Sequence, residues 1–321
     1  MNAPLVSVIM NCHNGAPELP DALRCLREQT FQDFEIIFLD NASTDGSGEI
    51  AKAFGPKLRY FRNEELASLG AARNLAIKEA RGELIAFLDC DDLWKPEKLA
   101  AQVELFGKNS SLGLVCTDTE IRRGNKTTGT VFEISKPARG RAFAELMRDQ
   151  WISMSSAMLS AKALDRIREK ASAIHPLWFD ESLNVCEEAD VFYRIAHDWE
   201  IDYVDQPLTV WRVHGRNTTF RKFGQIAKET RSILEKHRRL YPGYDREYKD
   251  TVDVLTRRAD FQEAAALWRD GEGGKARKLV KPLLKFSRKY RLFWLASFLP
   301  GALFLPIAEF YFSLPKSFRR S

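Results

Sequence analysis

At 321 residues, with 45% hydrophobic and 29% charged residues, the chain has room for one large domain or a domain with an appendage, and its composition excludes a disordered or low-complexity protein. Five cysteines, with no CxxC spacing and no histidine at metal-ligand spacing, point to reduced thiols rather than to a disulfide framework or a zinc site. Net charge is +5 but uneven: from Lys275 onward there are 11 basic residues and one acid, which makes that end +10, leaves the body at −5, and predicts an anionic partner for the tail.

Taken in chain order, the opening MNAPLVSVIM lacks a basic region and a long apolar run, so a signal peptide is not expected. LVSVIM (5–10) predicts a strand, and residues 16–29 a helix, with Leu19, Ala22, Leu23 and Leu26 at helical spacing. Strands follow at 34–40, 58–63, 83–89 and 112–118, separated by helical patterns after Ser43, over 69–80 and over 95–106. This alternation predicts an α/β fold with a parallel sheet covered on both faces. Ligands bind such sheets at the carboxyl ends of the strands. Three polar segments stand at those ends: NCHN (11–14), DNAST (40–44) and DCDD (89–92). A loop with a helix cap explains the first two, and Ser43 and Asp45 can serve as caps. It does not explain three carboxylates within four positions, which repel one another unless something positive sits among them.

Beyond residue 120 the pattern changes. EIRRGNKTTGTVFEIS predicts a hairpin turning near Gly124-Asn125, residues 155–167 run from strand into helix, 187–198 form a helix with Val191, Ile195 and Ala196 inward, and 202–214 contain two short strands. From Gly224 onward the pattern is helical, which places a domain boundary near residue 220, with a catalytic domain over 1–220 and a helical region over 221–321.

VSVIMNCHNG, FLDNASTDGS, GAARNLAI, GELIAFLDCDD, CEEADVFYRIA and WRVHGRNTT, in this order, closely resemble family 2 glycosyltransferases, the inverting enzymes of GT-A fold. The resemblance covers roughly residues 5–217. A lone DxD is a weak signal; six ordered motifs are a specific one. The resemblance implies transfer of a sugar from a nucleotide-diphosphate donor to an acceptor hydroxyl, with Mn²⁺ or Mg²⁺ neutralising the diphosphate. It implies Asp91 as metal ligand, Asp89 contacting the ribose directly or through the metal, and Asp40 accepting from a uracil ring. Asp92 is either a further ligand or the cap of the next turn. His13 and Asn14 occupy a place where the family often has Tyr-Asn against the base, and Arg73 one that approaches the nucleotide; Asn74 caps or packs instead. Glu188 takes the general-base position, where the family more often has Asp, with Glu187 and Asp190 orienting or binding the acceptor. Arg212 and His214 resemble donor- and metal-contacting positions, and Trp211 lines a pocket or the core.

The tail combines KARKLVKPLLKFSRKYR (275–291), with eight basic residues and no acid, and an apolar stretch over 292–314 that Pro300 and Pro306 interrupt. Seventeen uncharged residues, 292–308, are marginal for a membrane span. An anchor lying in an anionic membrane surface fits, and the alternative is a buried helical hairpin. The apolar continuation suits lipid better than nucleic acid. The expected place of action is the cytoplasmic face of the cell membrane, peripheral or monotopic, with a glycan or glycolipid acceptor in surface polysaccharide synthesis. A sugar nucleotidyltransferase would need a glycine-rich nucleotide loop that NCHNGAPEL does not supply, and the intact Asp89, Asp91 and Glu188 argue against an inactive nucleotide- or glycan-binding homologue.

Overall fold

The structure, a computed structural model, describes residues 3–213 and 222–304. The chain divides into two compact units, Met1–Gly215 and Arg216–Ser321.

The first unit opens with strands β1 (Val6–Cys12), β2 (Phe34–Asn41) and β3 (Leu58–Asn63), joined by helices α1 (Leu19–Arg27) and α2 (Ser47–Lys52). Helix α3 (Leu69–Glu79) leads to β4 (Leu84–Phe87), β5 (Leu93–Trp94) and α4 (Lys98–Lys108). Strands β6 (Leu112–Arg123) and β7 (Lys126–Thr130) form the predicted hairpin, with Gly124 in left-handed backbone in its two-residue loop. Next come α5 (Val131–Ile134), α6 (Phe143–Arg148), β8 (Met158–Ser160), α7 (Ala161–Ala171), α8 (Glu187–Asp198) and β9 (Glu200–Val213). Residues 131–134, expected in the hairpin, instead form α5, because Thr130 and Glu133 make a reciprocal capping box that starts a helix.

Among the described residues the strands form one nine-stranded sheet in the order β3-β2-β1-β4-β8-β6-β9-β5, with β7 on β6. Strands β3, β2, β1 and β4 are parallel, as are β6 and β9, but β8 runs antiparallel to both of its neighbours and β5 antiparallel to β9. The sheet is therefore mixed rather than parallel throughout. Apolar periodicity says that a segment is a strand and carries no sign of its direction, so β8 could not be told from the others. The two strands expected over 202–214 are one, β9, whose register against β6 slips where Val204 faces Thr117 and Pro207 faces Asp118. Pro207 has no N–H to give the ladder, and the register shifts on either side of its pairing with Asp118.

Every residue of β2 is buried, as a strand covered on both faces requires. On one face Val8, Met10, Ile36 and Phe38 pack with Leu19, Leu23 and Leu26 of α1. On the other, Phe87 of β4 meets Phe179 edge-on at 5.9 Å.

The second unit contains helices α9 (Phe223–Leu240), α10 (Tyr244–Glu247), α11 (Lys249–Arg269), α12 (Gly273–Val280) and α13 (Arg288–Ala296). Trp268 centres its core, edge-on to Phe293 at 5.4 Å and to Phe304 at 5.3 Å, with Ala264, Ala276 and Val280 around it. Among the described residues no helix is long and apolar enough to cross a membrane.

Candidate active site

Strand β1 lies between β2 and β4, so the strand order reverses there and a crevice opens at the carboxyl ends. The three polar segments meet at that rim. Asn14 stands in left-handed backbone, donates its N–H to Ser43 Oγ (3.1 Å), and accepts Thr44 N–H on its side-chain oxygen (2.8 Å). His13 Nδ1 lies 2.8 Å from the Asn41 carbonyl oxygen, which leaves an exposed ring beside the crevice.

Asp40, at the end of β2, is fully buried. Its Oδ2 accepts from Tyr60 Oη (2.7 Å) and Arg62 Nη1 (2.8 Å), and its Oδ1 from Ser43 N–H (2.8 Å). Burial works against its charge, and the bonds from Tyr60, Ser43 and Arg62 overcome it, holding the carboxyl below its usual range.

Arg73 of α3 is not a surface arginine. Its side chain is 3% exposed, stacked over Phe179, with Nη1 2.7 Å from Glu187 Oε1 and Nη2 3.5 Å from Asp89 Oδ1 and 3.9 Å from Glu188 Oε2. One guanidinium thus stands among three carboxylates from two distant parts of the chain. Burial opposes its charge, but Asp89, Glu187 and Glu188 more than restore it. The carboxylates remain in surplus. Withdrawal from water, and then Asp91 and Glu187, push the Asp89 carboxyl up despite Arg73. Glu188 is pushed up to about 8, first by withdrawal from water and then by Glu187 and Asp89, against the pull of Arg73. Glu187 is buried, and its Oε2 has no hydrogen-bond partner among the described residues.

Asp92 braces the DCDD turn. Its N–H donates to the Asp89 carbonyl, its Oδ2 accepts from Ser155 Oγ (2.6 Å), and its Oδ1 accepts from Arg212 N–H (3.3 Å). The Arg212 guanidinium donates to the carbonyls of Asp91 and Glu18 and pairs with Asp21 at 3.1 Å, clamping the turn onto α1. Asp190 is fully buried and pairs with Arg194, which in turn donates to the Trp178 carbonyl and fixes the segment before α8. Asn74 exchanges bonds with the Phe179 backbone and so packs. His214 lies outside the described residues.

Asp89, Asp92, Glu188 and Trp211 line one cavity of about 320 Å³ together with Trp151 and Met154. The loop Gln150–Met154 reaches this cavity because the antiparallel β8 begins at the rim instead of ending there. Its part in the site, like the bonds of Tyr60 and Arg62 to Asp40, was not read from the sequence, since no motif or spacing marks it.

Among the described residues no three His, Cys, Asp or Glu side chains close around a point as a metal cage would. Glycosyltransferases of this fold nevertheless use a divalent metal in many cases.

The model of glycosyl transferase family 2 matches residues 7–167. An uncharacterized glycosyltransferase of Methanocaldococcus jannaschii is 29% identical over 227 residues, 68% of this chain and 73% of that protein. Among solved structures, TarS 1–349 of S. aureus in complex with UDP-GlcNAc covers 91% of this chain and 88% of its own at 18% identity and TM-score 0.55. The mannosyltransferase PcManGT of Pyrobaculum calidifontis, in complex with GDP-Man and Mn²⁺, covers 98% of this chain and 89% of its own at 16% identity and TM-score 0.61. The mixed sheet with its rim of carboxylates and the match across half of the chain together identify it: the protein belongs to glycosyl transferase family 2 and is a glycosyltransferase of GT-A-like fold.

Proposed function

We propose that this enzyme is an inverting, metal-dependent transferase that moves a sugar from a uridine-diphosphate donor to a hydroxyl of a glycan or glycolipid in surface polysaccharide synthesis. The observation that carries the reading is the cavity in which Asp89, Asp92, Glu188 and Trp211 meet beside the buried Arg73.

The donor set fits a divalent cation of the kind that arrives with a diphosphate. Such ions take one or two carboxylates and complete their shell with phosphate oxygens and water, so no protein cage is needed. The surplus of carboxylates around one guanidinium, and the buried unpaired Oε2 of Glu187, favour a positive guest. Asp91, with Asp89 and His214, would hold Mn²⁺ or Mg²⁺, which when bound offsets the charge that develops on the departing diphosphate. Asn14 and Arg212 shape the rim for the nucleotide. Uracil N3–H is the partner suited to Asp40; to reach it the base displaces Arg62, the more exposed of the two groups on Oδ2.

Glu188 is the general base. Its side chain keeps 31% exposure, so it reaches an incoming hydroxyl. Its carboxylate takes the proton as the acceptor oxygen attacks the anomeric carbon from the face opposite the diphosphate. A carboxyl held up to about 8 is a stronger base than an ordinary glutamate, at the cost of being partly protonated near neutrality. Arg73 keeps it from rising further and holds Glu187 aside. Glu187, Asp190 and Trp211 set the acceptor end, the first two by fixing the start of α8.

The second unit is proposed to hold the enzyme on the cytoplasmic face of an anionic membrane. On and after α13, Leu292, Leu295, Phe298 and Leu299 are exposed while Phe293 points into the core. The lysines and arginines of 275–291 precede them. Such a basic and apolar combination suits an interfacial helix.

The test is Glu188→Gln. It should bind donor as wild type does and transfer about 10²- to 10⁴-fold more slowly, the usual contribution of a positioned base. Full activity in Glu188→Gln with loss in Glu187→Gln would move the base to Glu187.

A further inference from the structure

Cys12 ends β1, and Cys90 stands between Asp89 and Asp91 in the turn after β4. The two strands run parallel, with Val6 opposite Leu84 and Ile9 opposite Phe87. Carried three residues further, that register sets Cys12 beside Cys90. Adjacent strands lie about 4.8 Å apart, within the Cα separation that a disulfide spans. Both side chains turn to the same face, in the apolar cluster under α1. A Cβ built on Gly15 would stand 2.8 Å from each sulfur, so the two sulfurs face the same small space. The pair therefore meets beneath a residue that only glycine can fill without the sulfurs moving. The other cysteines are differently placed: Cys25 and Cys116 are buried, Cys186 half-buried, and withdrawal from water pushes the Cys25 thiol up to about 11.

We propose that Cys12 and Cys90 form a modification site, a dithiol that a peroxide converts reversibly to a disulfide, and that the bond draws Asp89 and Asp91 out of their donor-binding position. Cys90 is half-buried where Cys12 is buried, so the oxidant reaches Cys90 first, although the Cys12 side chain, burial and the neighbouring carboxylates push the Cys90 thiol up. Its sulfur attacks one oxygen of hydrogen peroxide, the O–O bond breaks, and a sulfenic acid and one water result. The Cys12 sulfur then attacks the Cys90 sulfur, forming the S–S bond and releasing the sulfenic hydroxyl as a second water. Two thiols and one peroxide give one disulfide and two waters; the sulfur pair loses two electrons and the peroxide gains them. Cys12 is suited to the second step, because bonds from Cys90, Ser47 and the Gly15 N–H hold its thiol below its ordinary value despite burial. Closing from contact to a covalent bond shifts the turn, and a displacement of about 1 Å in a binding constellation can cost on the order of a hundredfold.

The formation of the bond stands on geometry alone; its consequence rests on the donor reading above. Trypsin cuts after Arg24 and Arg81, which puts Cys12 and Cys90 in separate peptides with no other cysteine. Full-length protein treated with hydrogen peroxide should yield these two peptides joined, and dithiothreitol should release them. Titration with UDP and Mn²⁺ should show affinity falling at least about tenfold on oxidation and returning on reduction. Cys12→Ser and Cys90→Ser should yield no joined peptide, and Cys186→Ser should yield it as wild type does. Oxidation of Cys186 with Cys12 and Cys90 left unjoined would overturn the site. A joined pair with unchanged UDP affinity would overturn its effect. Absence of UDP binding in the reduced protein would count against the donor reading, and the peptide map would still decide the dithiol.

Discussion

Two residues show how the rim departs from relaxed chemistry. Ala42 sits at φ 58, in the left-handed region where a Cβ costs about 1 kcal/mol. Glycine there relieves the strain but gives back about 0.5 kcal/mol of it to the freer unfolded chain. Ala42→Gly should therefore raise the melting temperature by about 1–2 °C, and a lower melting temperature would show that no strain is stored at this turn. Glu188 is the second. Its carboxyl is raised in the folded state, so its contribution favours folding below the ordinary carboxylate range and is lost as pH rises through about 8. Without metal, thermal stability should decline from pH 5.5 to 9, and the decline should flatten in Glu188→Gln. Added Mn²⁺ with UDP should protect more at pH 8.5 than at pH 5.5. An unaltered pH profile in Glu188→Gln would mean that the carboxylates around Arg73 do not repel as described. The buried Arg73 was legible as a site residue through its motif, but its bond to Glu187 was not, because the two lie 114 positions apart and only the fold brings them together.

At the scale of elements, the alternation of strands and helices was legible from period and caps alone, while strand direction was not. The reversal of β8 brings the Gln150–Met154 loop into the cavity, and nothing in the run MLS distinguishes a strand that leaves the rim from one that arrives. The slip in β9 falls at Pro207, within the 202–214 stretch whose pattern suggested two short strands. In the second unit, α13 and the residues after it carry apolar side chains on both a buried and an exposed side. Phe293 packs against Phe261 at 4.9 Å and against Trp268, while Leu295 and Phe298 are each 60% exposed. Truncating the tail would strip the Trp268 core, so the informative variant is Leu295→Glu with Phe298→Glu, which touches the exposed side. Each buried side chain of this kind is worth about 2 kcal/mol, so the double variant should weaken binding to phosphatidylglycerol vesicles by roughly a hundredfold or more while keeping the melting temperature. Equal pelleting of variant and wild type would exclude this face from the membrane.

For the whole molecule, the uneven charge of the sequence has a physical counterpart. The body at −5 gathers carboxylates at one rim, and the +10 end, which begins within α12 of the second unit, carries exposed apolar side chains on and after α13. The division into two units leaves the chemistry in the first, since Asp40, Arg73, Asp89, Asp91 and Glu188 all lie within Met1–Gly215. The central claim is that this rim binds a nucleoside diphosphate through a cation held at Asp91. It is tested most directly by calorimetric titration of UDP into wild type and Asp91→Ala, each with and without Mn²⁺. Wild type should bind UDP when Mn²⁺ is present and far more weakly without it, and Asp91→Ala should melt at the wild-type temperature yet show no gain in affinity from Mn²⁺. Binding of UDP and Mn²⁺ by Asp91→Ala as tight as that of wild type would contradict it.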